Sequence, residues 1–139
     1  MPSFDWTGNV CFVCGSIAGG LHVRFSGDSG EVTATTVINP PHQGFAGIVH
    51  GGILASMVDD AMWHVIHQQD NDFPVTAELK IRYLQPARIG EALTVRGRLV
   101  SYRRRLMAAS ATIENSRGQL VVQAAGRFMP LADHEPRDI

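Results

Sequence analysis

The chain has 139 residues, 45% hydrophobic and 18% charged, a balance that suits one soluble domain with a sizeable core. Against 13 acidic residues stand 12 basic ones, a formal net charge of −1, so no basic excess points to nucleic acid. The most apolar stretch, Ile53 to Met62, is interrupted by Asp59 and Asp60 and is too short and too charged to span a bilayer.

Met1 to Trp6 lacks a basic region followed by an apolar one, so no secretory signal is visible and a cytoplasmic protein is expected. The two cysteines form a single Cys11-x-x-Cys14 pair. A structural zinc site normally takes four ligands and no second such pair exists, so the sequence predicts neither metal nor cofactor. Two reduced thiols, a labile disulfide and a partial metal site all stay open.

Residues 1–20 read as an irregular segment across the surface of the domain. Leu21 to Ser26 reads as a strand, because Leu21, Val23 and Phe25 alternate with His22 and Arg24. Gly27-Asp28-Ser29-Gly30 is turn chemistry, and Glu31 to Ile38, rich in Val and Thr, reads as the second strand of a hairpin. Asn39-Pro40-Pro41 stops it, since proline cannot donate to a ladder. A glycine-rich loop, His42 to Val49, then leads through His50-Gly51-Gly52 into the only convincing helix, roughly Gly51 to Gln68.

Four further strands are predicted at Val75–Tyr83, Ala92–Ser101, Arg105–Asn115 and Leu120–Met129, before a polar tail over 132–139. Because strands and helix do not alternate, a parallel sheet is disfavoured. The expected architecture is a single α+β domain over 1–139, an antiparallel sheet of about six strands wrapped around one long central helix. The helix is apolar almost all round, which predicts burial on most sides.

Two features of the helix bear on function. At about 100° per residue, Ser56, Asp60, His64 and His67 fall on one polar stripe, while Asp59 neighbours Gly52, Ala55, Met62, Trp63 and Ile66. An aspartate on an apolar side is either paired in the core or used, and burial raises its pKa toward that of a base. The stripe could face a metal, a subunit neighbour or solvent; most such stripes face one of the latter two. Gly51 and Gly52 open the helix, where the first amides lack intrahelical acceptors and carry the positive end of the dipole. They provide an oxyanion site, or merely a tight turn into the helix.

The string His42-Gln43-Gly44, then Gly47-Ile48-Val49-His50-Gly51-Gly52, then Asp59, then Tyr83-Leu84-Gln85-Pro86-Ala87 with Gly90, resembles the hot-dog-fold acyl-CoA thioesterases, particularly their phenylacetate-degradation-type branch. Cys11 to Gly15 also resembles that branch, without a role attached. The resemblance implies that the Gly51 amide polarises the thioester carbonyl and that Asp59 attacks it or activates a water. It places Gln43 near the thioester and Thr76 where it orients the water. His50 and Gly52 would shape the turn around the substrate. It also implies homodimers with sites at the interface, often paired into tetramers. Many relatives read Asp-Glu where this chain reads Asp59-Asp60.

The nine residues from His50 to Asp59 rise about 13.5 Å along a helix, whereas reacting groups must meet within about 3–3.5 Å. If Gly51, next to His50, and Asp59 act on one thioester, they come from two chains, as the family reading also has it. Arg103-Arg104-Arg105, at a predicted turn, is a candidate for the phosphates of coenzyme A, or a solvated turn that blunts a sheet edge. Phe45, Met62, Trp63 and Ile66 are candidate acyl contacts or plain core. The competing expectation is a non-enzymatic acyl-CoA-binding module on the same fold. Hydratase chemistry and a metal enzyme built on Asp60, His64 and His67 are further alternatives.

Overall fold

A computed structural model of the chain describes residues 8–131. The elements run β1 (Glu31–Val37), a short 3-10 turn (Pro40–His42), α1 (Gly51–Asp70), β2 (Val75–Tyr83), β3 (Ala92–Arg103), β4 (Leu106–Glu114) and β5 (Leu120–Met129). The strands form one antiparallel sheet in the order β1-β3-β4-β5-β2. It curls around α1, which packs chiefly on β3 and β4. This is the α+β hot-dog arrangement.

The sheet has five strands rather than about six. Leu21 to Ser26 does alternate in burial, with Val23 and Phe25 inside, but it makes no ladder. Its Leu21 and Val23 amides bond to the Phe12 and Val13 carbonyls at 2.8 Å each. Only Ser26 bridges to Thr33. His22 at φ 56 and Gly27 at φ 141 break the extended backbone that a strand requires.

Burial alternates along β4 and β5 as a half-buried sheet demands. Leu93, Val95, Met107, Ile113, Val122 and Phe128 point at the helix and are fully buried. Small residues mark where the helix comes nearest. A Cβ at Gly97 would stand 2.7 Å from the Ala61 carbonyl oxygen, and one at Gly126 would stand 3.1 Å from the Met62 sulfur. The helix backbone therefore rests almost directly on β3.

The polar stripe of α1 does not face solvent. Asp60, His64 and His67 are buried, because the irregular N-terminal segment crosses that side: Cys11 meets Asp60 and Phe25 meets the His64 ring. The side of α1 left more open carries Gly52, Ala55, Ser56, Asp59 and Trp63. Edge strand β2 is also largely exposed.

Gly97→Ala should lower unfolding free energy by about 1–3 kcal/mol, through overpacking against backbone that cannot yield. Chemical denaturation of the two proteins checks this; equal midpoints would contradict the close approach.

Candidate active site

The site is built on the first turn of α1. His50 is its N-cap, extended at φ −60 and ψ 134, and its Nδ1 accepts the Gly52 amide at 2.8 Å. The Ile53 and Leu54 amides both reach the His50 carbonyl, at 2.9 and 3.2 Å. Of the four amides that open the helix, Gly51 alone finds no acceptor among the described residues. Gly52 is a glycine for a local reason, since a Cβ there would come within 3.1 Å of the capping imidazole. The exposed Gly51 amide thus stands at the positive end of the helix dipole, ready for a carbonyl or oxyanion.

The surroundings hold this turn in place. The Tyr83 hydroxyl, from the end of β2, donates to the Gly51 carbonyl at 2.9 Å. The preceding loop folds on itself, with Gln43 Oε1 accepting the Gly47 amide at 3.0 Å and Gly44 bonding back to Ile48 at 2.8 Å. The Ala87 carbonyl takes the Val49 amide at 2.9 Å, which ties the loop to the segment after β2. Tyr83 was missed as a site residue on sequence grounds. Its position in the Tyr-Leu-Gln-Pro-Ala string was the available signal.

Asp59 lies two turns further along, half-buried, with Thr76 Oγ1 donating to its Oδ1 at 2.7 Å. Burial pushes the Asp59 carboxyl above the usual aspartate range. The Thr76 hydrogen bond works against this and the nearby Asp60 charge adds to it. A hollow of about 250 Å³ opens beside it, walled by Trp63 and Phe73. Asp59 is therefore a carboxylate held in a fixed pose, with basicity raised by its environment.

The other candidates divide. Trp63 is held by its indole N–H on the Pro74 carbonyl at 3.0 Å. Met62 is entirely buried against the sheet, and Ile66 likewise, so both are core and neither reaches an opening. Phe45 is 86% exposed on the loop before the helix. Arg103, Arg104 and Arg105 are exposed around the two-residue β3–β4 turn and form no ion pair among the described residues. Tyr102 bonds Asp72, just after α1, which places this turn at the far end of the helix from Gly51. His67 stacks flat on Trp63 and meets the Asp72 carbonyl, so Asp60, His64 and His67 do not converge on one point.

Residues 46–122 match the family model of the thioesterase superfamily. The chain belongs to the thioesterase superfamily. Mouse acyl-coenzyme A thioesterase 13 is 27% identical over 88 residues, 62% of this chain and 63% of that protein's length. The chain is also similar in fold to the Escherichia coli PaaI protein of the phenylacetic acid degradation operon, with TM-score 0.76, 21% identity and 83% of each chain covered. A thioesterase protein from Streptococcus pneumoniae, solved with coenzyme A, aligns with TM-score 0.74 and 23% identity, covering 81% of this chain and 91% of its own. These solved structures share the fold of this chain.

Removing the Thr76 hydroxyl should raise the Asp59 pKa further, because that bond favours the charged carboxylate. Carbon-13 carboxyl titration of wild type and Thr76→Val checks this. Asp59 is expected above the ordinary value of about 3.9 in wild type and higher again in the variant; an unmoved or lowered midpoint would contradict the assigned contact.

Proposed function

We propose that the protein is an acyl-CoA thioesterase that hydrolyses a thioester to free acid and coenzyme A. The observation that carries this reading is the presence on one helix of an amide with no acceptor among the described residues, Gly51, and a half-buried carboxylate fixed by Thr76, Asp59. Thioester hydrolysis needs those two parts: a donor for the carbonyl oxygen as it gains charge, and a nucleophile or base for the carbon. Membership of the thioesterase superfamily and the mouse relative's name support the substrate class.

In this mechanism the thioester oxygen accepts the Gly51 N–H. Asp59 either attacks the carbonyl carbon, releasing the thiolate and leaving a mixed anhydride for water to open, or takes the proton of an attacking water. Thr76 fixes the carboxylate, His50 and Gly52 hold the turn, and Tyr83 steadies the Gly51 peptide. Gln43 shapes the loop above the carbonyl. Trp63 forms an apolar wall for the acyl group, with the exposed Phe45 as a further apolar contact. The Arg103 to Arg105 turn meets the phosphates of coenzyme A.

The eight steps from Gly51 to Asp59 rise about 12 Å along α1, too far for one thioester. We therefore assign the working unit as a homodimer in which the open sides of two α1 helices face each other antiparallel, with a tetramer as the higher assembly. Edge strand β2 supports this, since it bears Thr76 and Tyr83 and lies exposed beside the open helix side. No described helix is long and apolar enough to cross a membrane, and a cytoplasmic location fits the thiols and the substrate.

The test is hydrolysis of an acyl-CoA panel (aromatic, short, medium and long chains), following free thiol. Asp59→Asn should lose at least about a hundredfold in kcat with the fold intact. Gly51→Pro removes only the amide N–H at a position where proline suits both the helix and the extended His50 before it. It should lose about 10²–10³-fold in kcat. Unchanged turnover in Asp59→Asn would sink the mechanism. Binding of acyl-CoA without any turnover in wild type would replace it with the non-enzymatic binding module.

A further inference from the structure

The Cys11-x-x-Cys14 pair looked short of partners in the sequence, and α1 supplies one. Cys11 Sγ, Cys14 Sγ and an Asp60 carboxylate oxygen lie within 4.8 Å of one another. Cys14 is 2% exposed and Asp60 9%, and Cys11 is half-buried, so the cluster is built into the fold and is not a surface coincidence.

The turn that presents the sulfurs is specific. The Gly15 amide bonds the Cys11 carbonyl at 2.8 Å, and a Cβ at Gly15 would stand 2.5 Å from that oxygen, so only glycine closes it. Asn9 adds a donor to the Cys14 sulfur at 3.3 Å.

Asp60 is oriented to match. Its Oδ1 faces the Cys11 sulfur at 3.8 Å. Its Oδ2, which takes no hydrogen bond among the described residues, faces His64 Nε2 at 3.4 Å. No lysine or arginine forms an ion pair with it among the described residues. Three acidic donors thus converge where charge is poorly solvated, with one imidazole behind the carboxylate. A metal ligand held from behind by a second polar group is the usual arrangement around bound metals. Two thiolates select a soft or borderline cation over calcium or magnesium.

We propose that Cys11, Cys14 and Asp60 bind one zinc ion, with His64 orienting the Asp60 carboxylate and water in the fourth position. That open position faces the hollow of about 250 Å³ that these residues share with Asp59. The ion fastens the N-terminal segment to α1 beside Asp59, and on binding the two thiols release their protons to solvent. The assignment stands or falls independently of thioester hydrolysis, because it uses none of the groups assigned to that chemistry.

The experiment is zinc analysis of the full chain purified under reducing conditions, followed by cobalt(II) titration of the metal-stripped, thiol-counted protein. One zinc per chain is expected. Cobalt should give a thiolate-to-metal charge-transfer band with tetrahedral visible bands, saturating at one equivalent and bleached by zinc. Cys14→Ser should abolish the charge-transfer intensity from that sulfur, and Asp60→Asn should weaken cobalt binding at least about tenfold, as loss of a ligand or its support does. The wild-type spectrum decides the matter even if a variant fails to fold. A reduced wild type with both thiols counted and no charge-transfer band would overturn the proposal.

Discussion

The contact on which the site depends is the seating of α1 on the sheet. Gly97 presents no side chain to the Ala61 carbonyl, and Gly126 gives way to Met62. The helix can therefore lie flush on β3 and β4, covered there by Leu93, Val95, Met107 and Ile113. The N-terminal segment closes a second side through Cys11, Cys14 and Phe25. What remains open is one stripe, and the residues on it are the chemically unusual ones.

The same seating sets the geometry of catalysis. Because α1 is one continuous helix from Gly51 to Asp70, its dipole and its rise are both fixed. The dipole makes the acceptor-free Gly51 amide a good partner for developing negative charge. The rise keeps that amide away from Asp59 of its own chain. An active site that needs both must be completed by a second copy. The capping of Gly52 by His50 sharpens this, because it leaves Gly51 as the one opening amide without an acceptor among the described residues.

Much of this was legible in the residues. The helix bounds, the strands from Val75 onward and the odd placement of Asp59 followed from periodicity; the family resemblance pointed to Thr76 only as a residue that orients a water, and its hydrogen bond to Asp59 came with the fold. The extra strand at Leu21 to Ser26 did not form, because alternation reports which residues are buried and not where the backbone amides bond. His22 in the left-handed region sent those amides to Phe12 and Val13 instead. The stripe of Asp60, His64 and His67 stayed open between a metal, a subunit neighbour and solvent, because no periodic signal shows that an irregular segment crosses it. For the same reason the meeting of Cys11 and Cys14 with Asp60, 46 or more residues away in the chain, could not be read before the fold was in hand. Met62 and Ile66 share an angular neighbourhood with Asp59 but turn to the sheet, a distinction finer than angle alone resolves.

The central claim is that one thioester is gripped by Gly51 of one chain and attacked through Asp59 of another. Its most direct test is subunit complementation. Asp59→Asn and Gly51→Pro chains, each inactive alone, would be mixed under conditions that exchange subunits and assayed for acyl-CoA hydrolysis. Heterodimers then hold one site with both wild-type groups, and activity should return to about a quarter of wild type at equal mixing. Subunit exchange confirmed by mass, with no recovered activity, would contradict a site shared between chains.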